Sequence, residues 1–182
     1  DVGCAEGPLM QWLALNKGVT CRGIERAQAK VQRAIASGLS VIQGDAEDCL
    51  PHFQDAAYDY LILNQILQQM QDPIATLLHS ARVARHVIVS VPNFGHWRNR
   101  WYLLWHGKMP VTQQLEYQWY ETPNIHFCTL KDFMIFASML GLVIREQQIL
   151  YRRAMPASLA NRAWIRNLWG EQGIFLLCQS GH

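Results

Sequence analysis

Two glycines mark a turn at the start of the chain, in the stretch Asp1-Val2-Gly3-Cys4-Ala5-Glu6-Gly7. This stretch is typical of the end of a strand and the turn that follows it, because glycine lets the backbone bend tightly. Pro8 comes next, and proline is well accepted in the first turn of a helix. We therefore expect a strand-to-helix junction here, with most of the first strand missing from this sequence.

Short β-branched runs alternate with helical stretches downstream of this turn, which is typical of βαβ units on a parallel sheet covered by helices. Helices are predicted at 8–17, 27–37, 72–84 and 129–140, and strands at 19–25, 39–43, 58–63, 85–91, 142–150 and 173–179. Thr129 with Asp132 three residues later predicts a capping box at the last helix. The 182 residues, half of them apolar, are enough for one domain with a full core.

Four features lie at the predicted ends of successive strands, where a parallel sheet binds nucleosides. Gly3 and Gly7 allow close approach of the backbone to a ligand. Glu25 ends the next strand, where a carboxylate accepts hydrogen bonds from ribose hydroxyls. Asp45, within Gly44-Asp45-Ala46, can accept from an adenine amino group, and Asn64 ends the fourth strand. Taken singly, these features also fit a plain tight turn, a surface glutamate and an Asx turn.

The first turn favours S-adenosylmethionine over a dinucleotide. A dinucleotide needs a turn that accepts a pyrophosphate, and here Ala5 and the acidic Glu6 stand between the glycines. S-adenosylmethionine has no phosphate and carries positive sulfonium and ammonium groups, which suit acidic side chains. We predict that S-adenosylmethionine or its demethylated product, S-adenosylhomocysteine, binds at Asp1, Gly3, Cys4, Ala5, Gly7, Glu25, Gly44, Asp45, Ala46 and Asn64.

The segment from about 93 to 128 has no clean periodicity and concentrates aromatic and histidine residues. A stretch this long inside a domain is typical of a functional lid or a small inserted subdomain. If the protein is an enzyme, His96, Tyr120 and His126 are the candidate bases or orienting donors, although methyl transfer chiefly needs positioning and requires no base. The interpretation that we prefer is a satellite core with a protein-binding face.

Composition narrows the classes of function. The five cysteines are odd in number and scattered, which argues against a disulfide framework and a zinc site and for a reducing compartment. The net charge of +2 gives no support for a nucleic-acid partner, although several arginines, Arg153 among them, neighbour aromatics. No apolar run approaches the ~20 residues of a membrane span, and no signal peptide is recognised. We expect a cytoplasmic protein without a metal site.

Four stretches of the chain combine uncommon residues in a distinctive order. They are Gly38-Leu39-Ser40-Val41-Ile42-Gln43-Gly44-Asp45-Ala46, Val91-Pro92-Asn93-Phe94-Gly95-His96-Trp97-Arg98, Met109-Pro110-Val111-Thr112 and Tyr117-Gln118-Trp119-Tyr120-x-Thr122-Pro123-Asn124-Ile125-His126-Phe127-Cys128. These stretches resemble the MetW family of methionine biosynthesis proteins, within the class I S-adenosylmethionine-dependent methyltransferase superfamily.

The resemblance implies an α/β, Rossmann-like fold for a single domain of residues 1–182. Its sheet would have seven mostly parallel strands in the order 3-2-1-4-5-7-6, the last antiparallel, with helices on both faces. One residue departs from the family pattern, because Ala5 stands where the family turn has its central glycine. If the backbone there needs a positive φ, alanine costs about 1 kcal/mol or more and weakens cofactor binding.

The resemblance also implies a role in methionine biosynthesis, where MetW-like proteins accompany a homoserine O-acyltransferase of the acetyl or succinyl branch. The chain has no G-x-S-x-G nucleophile elbow, so we predict a partner or regulator of that enzyme rather than the enzyme itself. The alternative is an active methyltransferase on an unidentified small molecule. Against it, Asn64-Gln65-Ile66-Leu67 lacks the motif used to methylate planar amino groups. A homo-oligomer is a further possible assembly.

Overall fold

The structure, a computed structural model, describes residues 1–111, 118–152 and 162–179. Helices and strands alternate through these ranges. The helices are α1 Pro8–Lys17, α2 Gln28–Ala36, α3 Ala46–Cys49, α4 Pro73–Val83, α5 Trp97–His106, α6 Leu130–Met139 and α7 Ala163–Trp169. The strands are β1 Arg22–Glu25, β2 Ser40–Gln43, β3 Tyr58–Asn64, β4 Ala84–Pro92, β5 Leu142–Leu150 and β6 Gln172–Gln179.

The predicted α/β class is confirmed, and each predicted helix and strand is present with its ends shifted by a few residues. The largest shift is at β1, which begins at Arg22 and not at residue 19. The helix α1 ends where Gly18 takes a left-handed conformation, with φ 63°. The predicted capping box is also present, because the Thr129 side chain accepts from the Asp132 N–H while the Asp132 carboxylate accepts from the Thr129 N–H.

The sheet is parallel except at one strand. β1 pairs with β2 and β3 pairs with β4, both in parallel, and β6 lies antiparallel between β4 and β5. Val2 forms parallel bridges to Ile24 of β1 and to Leu63 of β3, so this one residue joins the two halves. Among the described residues six strands are present rather than seven, and Val2 alone stands between β1 and β3.

The core lies on both faces of the central strands. Residues of β3, β4 and β6 are buried almost completely, among them Leu63, Val87, Val89, Phe175 and Leu177. Such strands read as nearly continuous apolar runs because helices cover both faces of the sheet. α2 packs on β1 and β2, α4 on β3 and β4, and α6 on β4 and β5. The helices α2, α4 and α6 therefore lie against the faces of the sheet.

The segment from 93 to 128 is more regular than its sequence suggested, because it contains α5. This helix buries only Asn99, so its apolar residues follow no one-sided stripe and periodicity does not reveal it. Its ends are held locally: His96 caps the start, and Gly107 ends it with φ 60°. The short helices α3 and α7 were not predicted either. Thr112 and Tyr117 of the distinctive stretches, and Arg153, lie outside the described residues.

Candidate functional site

A cleft of about 880 Å³ lies at the carboxyl ends of β1 to β4. Its lining includes Glu25 at the end of β1, Gly44 after β2, Asn64 at the end of β3 and Pro92 at the end of β4. Parallel strands bring these residues to one edge of the sheet although they are far apart in the chain. The volume falls within the range of ~300–1,000 Å³ that is usual for small-molecule sites.

The residues predicted to bind the cofactor divide into two groups. The cleft is lined by Gly3, Ala5, Glu25, Gly44, Asp45, Ala46 and Asn64. Asp1, Cys4 and Gly7 do not line it, because the first turn directs them elsewhere. The carbonyl of Asp1 accepts from the Ile24 N–H, and Gly7 is the N-cap of α1. Cys4 is buried beneath the turn, against Gly23 of β1.

The backbone N–H groups of Gly3, Cys4, Ala5 and Gly7 in the first turn donate hydrogen bonds to other groups of the protein. Those of Gly3 and Cys4 donate to the Ile24 carbonyl at 2.8 and 3.1 Å, and that of Gly7 donates to the Cys4 carbonyl at 2.8 Å. The Ala5 N–H donates to Glu25 Oε2 at 2.9 Å. A pyrophosphate needs unpaired N–H groups at such a turn. The turn therefore suits a ligand without phosphate, in line with the argument from charge.

Glu25 connects the turn to the cleft. Its buried carboxylate accepts from the Ala5 N–H and, through Oε1, from the Ala27 N–H at 2.8 Å. Each carboxylate oxygen has a second lone pair, so both can still accept from a ligand hydroxyl. The glutamate thus stabilises the turn, fixes the start of α2 and presents acceptors to the cleft.

Ala5 has a positive φ of 52°. The backbone at this position is therefore in the left-handed region, where an alanine is strained. An alanine in the left-handed region costs about 1–2 kcal/mol. Two residues earlier, Gly3 has φ 69°, and a Cβ there would lie 3.0 Å from Ile66 Cδ1, which is a tight contact. The turn therefore keeps a glycine-type backbone at a residue that is not glycine.

The carboxylate side chains of Asp45 and Glu47 line the cleft just after β2. Asp45 caps α3, with Oδ1 accepting from the Glu47 N–H at 3.0 Å, and its Oδ2 lies 3.6 Å from Arg26 Nη1. The alternative prediction for Asp45, a local Asx-type bond to the backbone, is thus correct. The Asp45 side chain also lines the cleft. Glu47 was missed: its carboxylate accepts from the N–H groups of Gln71 and Asp72 at 3.0 and 2.7 Å. Nothing in the sequence distinguishes it from a solvated helix glutamate.

The tip of β3 is held by a short chain of hydrogen bonds. Ser90 Oγ donates to Asn64 Oδ1 at 2.6 Å and accepts from the Gln65 N–H at 3.0 Å. Gln65 has a φ of 53°, and its carbonyl accepts from Gln68 Nε2 at 2.8 Å. The Gln68 carbonyl in turn accepts from the N–H groups of Ile125 and His126, both at 3.0 Å. These two hydrogen bonds therefore hold the end of the segment from 93 to 128 at the rim of the cleft.

The sequence model of the methionine biosynthesis protein MetW matches residues 1–177. This chain belongs to the MetW family. It is 31% identical over 156 residues to the bifunctional methionine biosynthesis protein MetXA/MetW of Rhodopirellula baltica. The match covers 81% of this chain but 25% of that relative, so the chain corresponds to about a quarter of the relative's length.

Solved structures of low sequence identity share the fold of this MetW-family chain. A methyltransferase from Archaeoglobus fulgidus matches with a TM-score of 0.67 at 12% identity, over 97% of this chain and 83% of that one. The phosphoethanolamine N-methyltransferase 2 of Haemonchus contortus, in complex with S-adenosyl-L-methionine, matches with 0.69 at 13% identity, over 98% and 47%. At such identities the likeness shows the fold alone, which is that of class I methyltransferases.

The three candidate catalytic side chains lie outside this cleft. His96 is buried, and its Nδ1 accepts from the Arg98 N–H at 3.3 Å to cap α5. Burial lowers the pKa of His96 and so favours the neutral ring that this cap requires. Tyr120 is 66% exposed and packs edge-on against Trp119, and the His126 side chain is exposed. This geometry gives none of the three a contact with a ligand in the cleft.

The described residues contain no group of three or more histidine, cysteine, aspartate or glutamate side chains placed to hold a metal ion. No helix among them is long and apolar enough to cross a membrane. The candidate functional site is the cleft at the strand ends.

Proposed function

We propose that this MetW-family chain binds S-adenosylmethionine or S-adenosylhomocysteine in the cleft and governs a homoserine O-acyltransferase as its partner. The observation that carries the proposal is the relative whose name joins MetXA to MetW in one bifunctional protein. A fusion keeps two domains at a high effective concentration, and a separate chain of the same family achieves this by association. A cytoplasmic location belongs to the same proposal.

The charges of the cleft support an adenosyl ligand with a cationic amino-acid end. The acidic lining residues are Glu25, Asp45, Glu47 and Glu171, and the basic ones are Arg26 and Lys30. We assign Glu25 to the ribose hydroxyls, Asp45 to the adenine amino group and Gly3 to the amino-acid end. S-adenosylmethionine, when bound, supplies a methyl group on a positively charged sulfur. The protein's own groups position the ligand and hold the turn at Ala5.

Two observations favour a partner protein over an active methyltransferase. The cofactor turn has Ala5 with a positive φ of 52° where the family pattern has glycine, which weakens the case for tight binding of a methyl donor. In addition, α5 exposes large apolar side chains, with Trp101, Leu104 and Trp105 each more than half exposed. Exposed aromatic clusters are typical of protein interfaces. The second candidate function, methylation of a small molecule, is supported by the part of the cleft beyond Asn64, which the adenosyl ligand does not need.

The test of the proposal is to co-express the full-length protein with the homoserine O-acyltransferase of the same genome. We expect the two proteins to co-purify, and we expect S-adenosylmethionine or S-adenosylhomocysteine to change the rate of homoserine acylation. Glu25→Gln keeps the size of the side chain and removes its charge, so it should weaken the nucleoside effect and leave co-purification intact. Calorimetric titration of the protein with each nucleoside measures the affinity directly.

Two outcomes would contradict the proposal in different ways. If the proteins neither associate nor alter each other's rate, the partner role is wrong and methyl acceptors should be sought. If they associate but neither nucleoside binds at millimolar concentration, the cofactor part is wrong while the partner part stands.

A further inference from the structure

A second groove, of about 810 Å³, lies between α6 and α7 and shares no residue with the cleft at the strand ends. Its residues on α6 are Lys131, Met134, Ile135, Ser138 and Met139. Their spacing of three and four residues places them on one face of the helix. The residues that α6 buries in the core lie on a different face and are Leu130, Phe133 and Ala137. Helix α6 therefore has a second, largely apolar face, which lines the groove.

Helix α7 forms the other wall of the groove, through Ala163, Trp164, Asn167 and Leu168. Large apolar side chains of both walls are exposed, because Met139 is 74% and Trp164 61% exposed. An exposed apolar surface with polar residues around it is typical of a contact with another protein. Methionine is common at such contacts, since its flexible thioether adapts to the partner.

Hydrogen bonds hold the two walls together at the start of α6. The Lys131 N–H donates to Asn167 Oδ1 at 3.2 Å. Asn93 bonds to both helices, because its Nδ2 donates to the Asn167 carbonyl at 2.8 Å and its Oδ1 accepts from the Leu130 N–H at 3.4 Å. The walls are therefore in place without a partner, and docking costs little ordering of these helices.

Two cationic side chains lie at this end of the groove, Lys131 in the first turn of α6 and Arg100 of α5. Arg100 Nε donates to the Gly95 carbonyl at 2.6 Å, and Gly95 lies against Thr129, the N-cap of α6. In the described part of the chain, neither cation forms an ion pair. Met139, at the last residue of α6, is about 12 Å further along the helix.

The helices that form the groove bring no carboxylate to it. Helices α5 and α7 contain no aspartate or glutamate, and Asp132 is the one acidic residue of α6. Asp132 does not line the groove, and its carboxylate accepts from the Thr129 N–H and hydroxyl at 3.0 and 2.8 Å. A partner that brings carboxylates to this end therefore has the complementary charge. A second copy of this chain does not match it through α1 or α5, because these exposed helices lack acidic residues.

We propose that the groove between α6 and α7 docks an amphipathic helix of the homoserine O-acyltransferase. The apolar side chains of that helix contact Ile135, Met139 and Trp164, and its carboxylates lie at the end that meets Lys131 and Arg100. A helix fits because the groove has two helical walls and a length of about two turns, and amphipathic helices bind such grooves through residues at i, i+3, i+4 and i+7. The groove rests on the proposed function for the identity of the partner.

The experiment measures the binding kinetics of the full-length protein and the acyltransferase by biolayer interferometry, at about 0.05 M and about 0.5 M NaCl. Lys131→Glu should lower the association rate constant by about threefold or more at low salt, and the difference should shrink at high salt, because salt screens exposed charges. Lys17→Glu, at an exposed lysine of α1, is the control matched in charge. It should leave the association rate constant within about twofold.

The apolar part of the groove is tested by combining Ile135→Ala with Met139→Ala. We expect the dissociation rate constant to rise by at least about tenfold while the association rate constant stays within about twofold, because apolar contacts form after the encounter. Leu15→Ala combined with Leu78→Ala, at exposed leucines of α1 and α4, is the matched control and should change neither constant. All four side chains are exposed, so urea unfolding of each variant should match that of the unmodified protein.

Three results would overturn the groove alone. If Lys131→Glu has the kinetics of its control, the partner brings no carboxylate to this end. If the double alanine variant dissociates at the rate of its control, the acyltransferase contacts another face. If sedimentation shows that the unmodified protein is a dimer and the double variant a monomer, the groove binds a second copy. Absence of any binding by the unmodified protein would instead remove the proposed partner, and the groove as its docking site with it.

Discussion

Ala5 and Ala56 share an unfavourable backbone conformation, with φ 52° and 50°. Ala5 lines the cleft, where its N–H is held by Glu25. Ala56 is exposed and is not among the residues that line the cleft. Glycine substitutions at the two positions therefore distinguish two effects. Both relieve backbone strain, but only the substitution at Ala5 removes a methyl group from the cleft.

Ala5→Gly should raise both stability and nucleoside affinity. Relief of the left-handed strain gives about 1–2 kcal/mol, and the greater freedom of glycine in the unfolded chain offsets about 0.5–1 kcal/mol of it. Ala56→Gly should stabilise the fold by a similar net amount and leave affinity for S-adenosylhomocysteine unchanged. Urea unfolding measures the first effect and calorimetry the second. Equal affinities for the two variants would mean that the Ala5 methyl group does not restrict the ligand.

His96 makes stability depend on pH in a definite direction. Burial holds its pKa below the ordinary value of 6.5, so the unfolded chain binds a proton more readily than the folded protein does. Stability is therefore fully present above pH 6.5 and is lost as the pH falls below it. Asparagine is a good helix N-cap and does not titrate.

We expect His96→Asn to fold with its cap intact and to lose less stability than the unmodified protein between about pH 7.5 and pH 5.5. Urea unfolding at a series of pH values provides the comparison. Parallel curves for the two proteins would show that His96 titrates normally in the folded state.

Asn93 joins three elements at the end of β4. Its Nδ2 donates to the carbonyls of Asn167 in α7 and of Gly170 at 2.8 and 2.7 Å. Its Oδ1 accepts from the N–H groups of Gly95 and of Leu130 at the start of α6, at 3.0 and 3.4 Å. The side chain is 1% exposed, so no solvent replaces these bonds if it is lost.

The residues after Asn93 serve the same junction. A Cβ on Gly95 would lie 2.7 Å from Thr129 Cγ2, so a larger residue would force Gly95 or Thr129, the N-cap of α6, to shift. His96 caps α5, and the Trp97 ring packs on Trp169 of α7 at 5.3 Å between centroids. The distinctive stretch from Asn93 to Trp97 therefore has an architectural role, although its histidine and aromatics suggest chemistry.

Asn93→Ala should destabilise the protein by about 3 kcal/mol or more, because it leaves several buried backbone groups unpaired. Asn16→Ala, at an exposed position of α1 where the side chain bonds to the Trp12 carbonyl, is the control and should cost less than about 1 kcal/mol. Chemical unfolding monitored by circular dichroism gives both values. A small effect at Asn93 would mean that the junction adapts without its side chain.

Helix α5 carries an exposed pair of stacked tryptophans. Trp101 and Trp105 stack with centroids 5.1 Å apart and are 56% and 70% exposed. They lie one helical turn apart, beside the exposed Leu104. Under the proposed function, this face is a candidate contact for the acyltransferase.

Replacing both tryptophans by alanine should reduce co-purification with the acyltransferase by at least about tenfold, as for hot-spot aromatics. Both side chains are exposed, so stability should change by less than about 0.5 kcal/mol each. Trp12→Ala, at a 52% exposed tryptophan of α1, controls for the loss of any surface aromatic. If the double variant still associates normally, the acyltransferase contacts another face.

Local chemistry in the sequence determined most of the secondary structure, and the order of the strands located the edge of the sheet where the cleft lies. Pro8 begins α1 and Gly18 ends it, the Thr129 capping box begins α6, and β-branched runs mark the strands. Glu25 and Asp45 were located because the ends of parallel strands meet at one edge, so their order in the chain predicts their place. The helix and strand predictions depend on neighbours within a few residues, which a sequence displays directly.

Tertiary structure alone decided which polar residues meet. Glu47, Gln68 and Glu171 share the cleft, yet each resembles an ordinary surface residue in its own stretch of sequence. Conversely, His96 stands in a stretch that suggests chemistry and serves as a helix cap. The direction and partners of a side chain depend on contacts between elements distant in the chain. Those contacts exist only once the sheet has brought the strand ends together, and for this reason the cleft had to be observed.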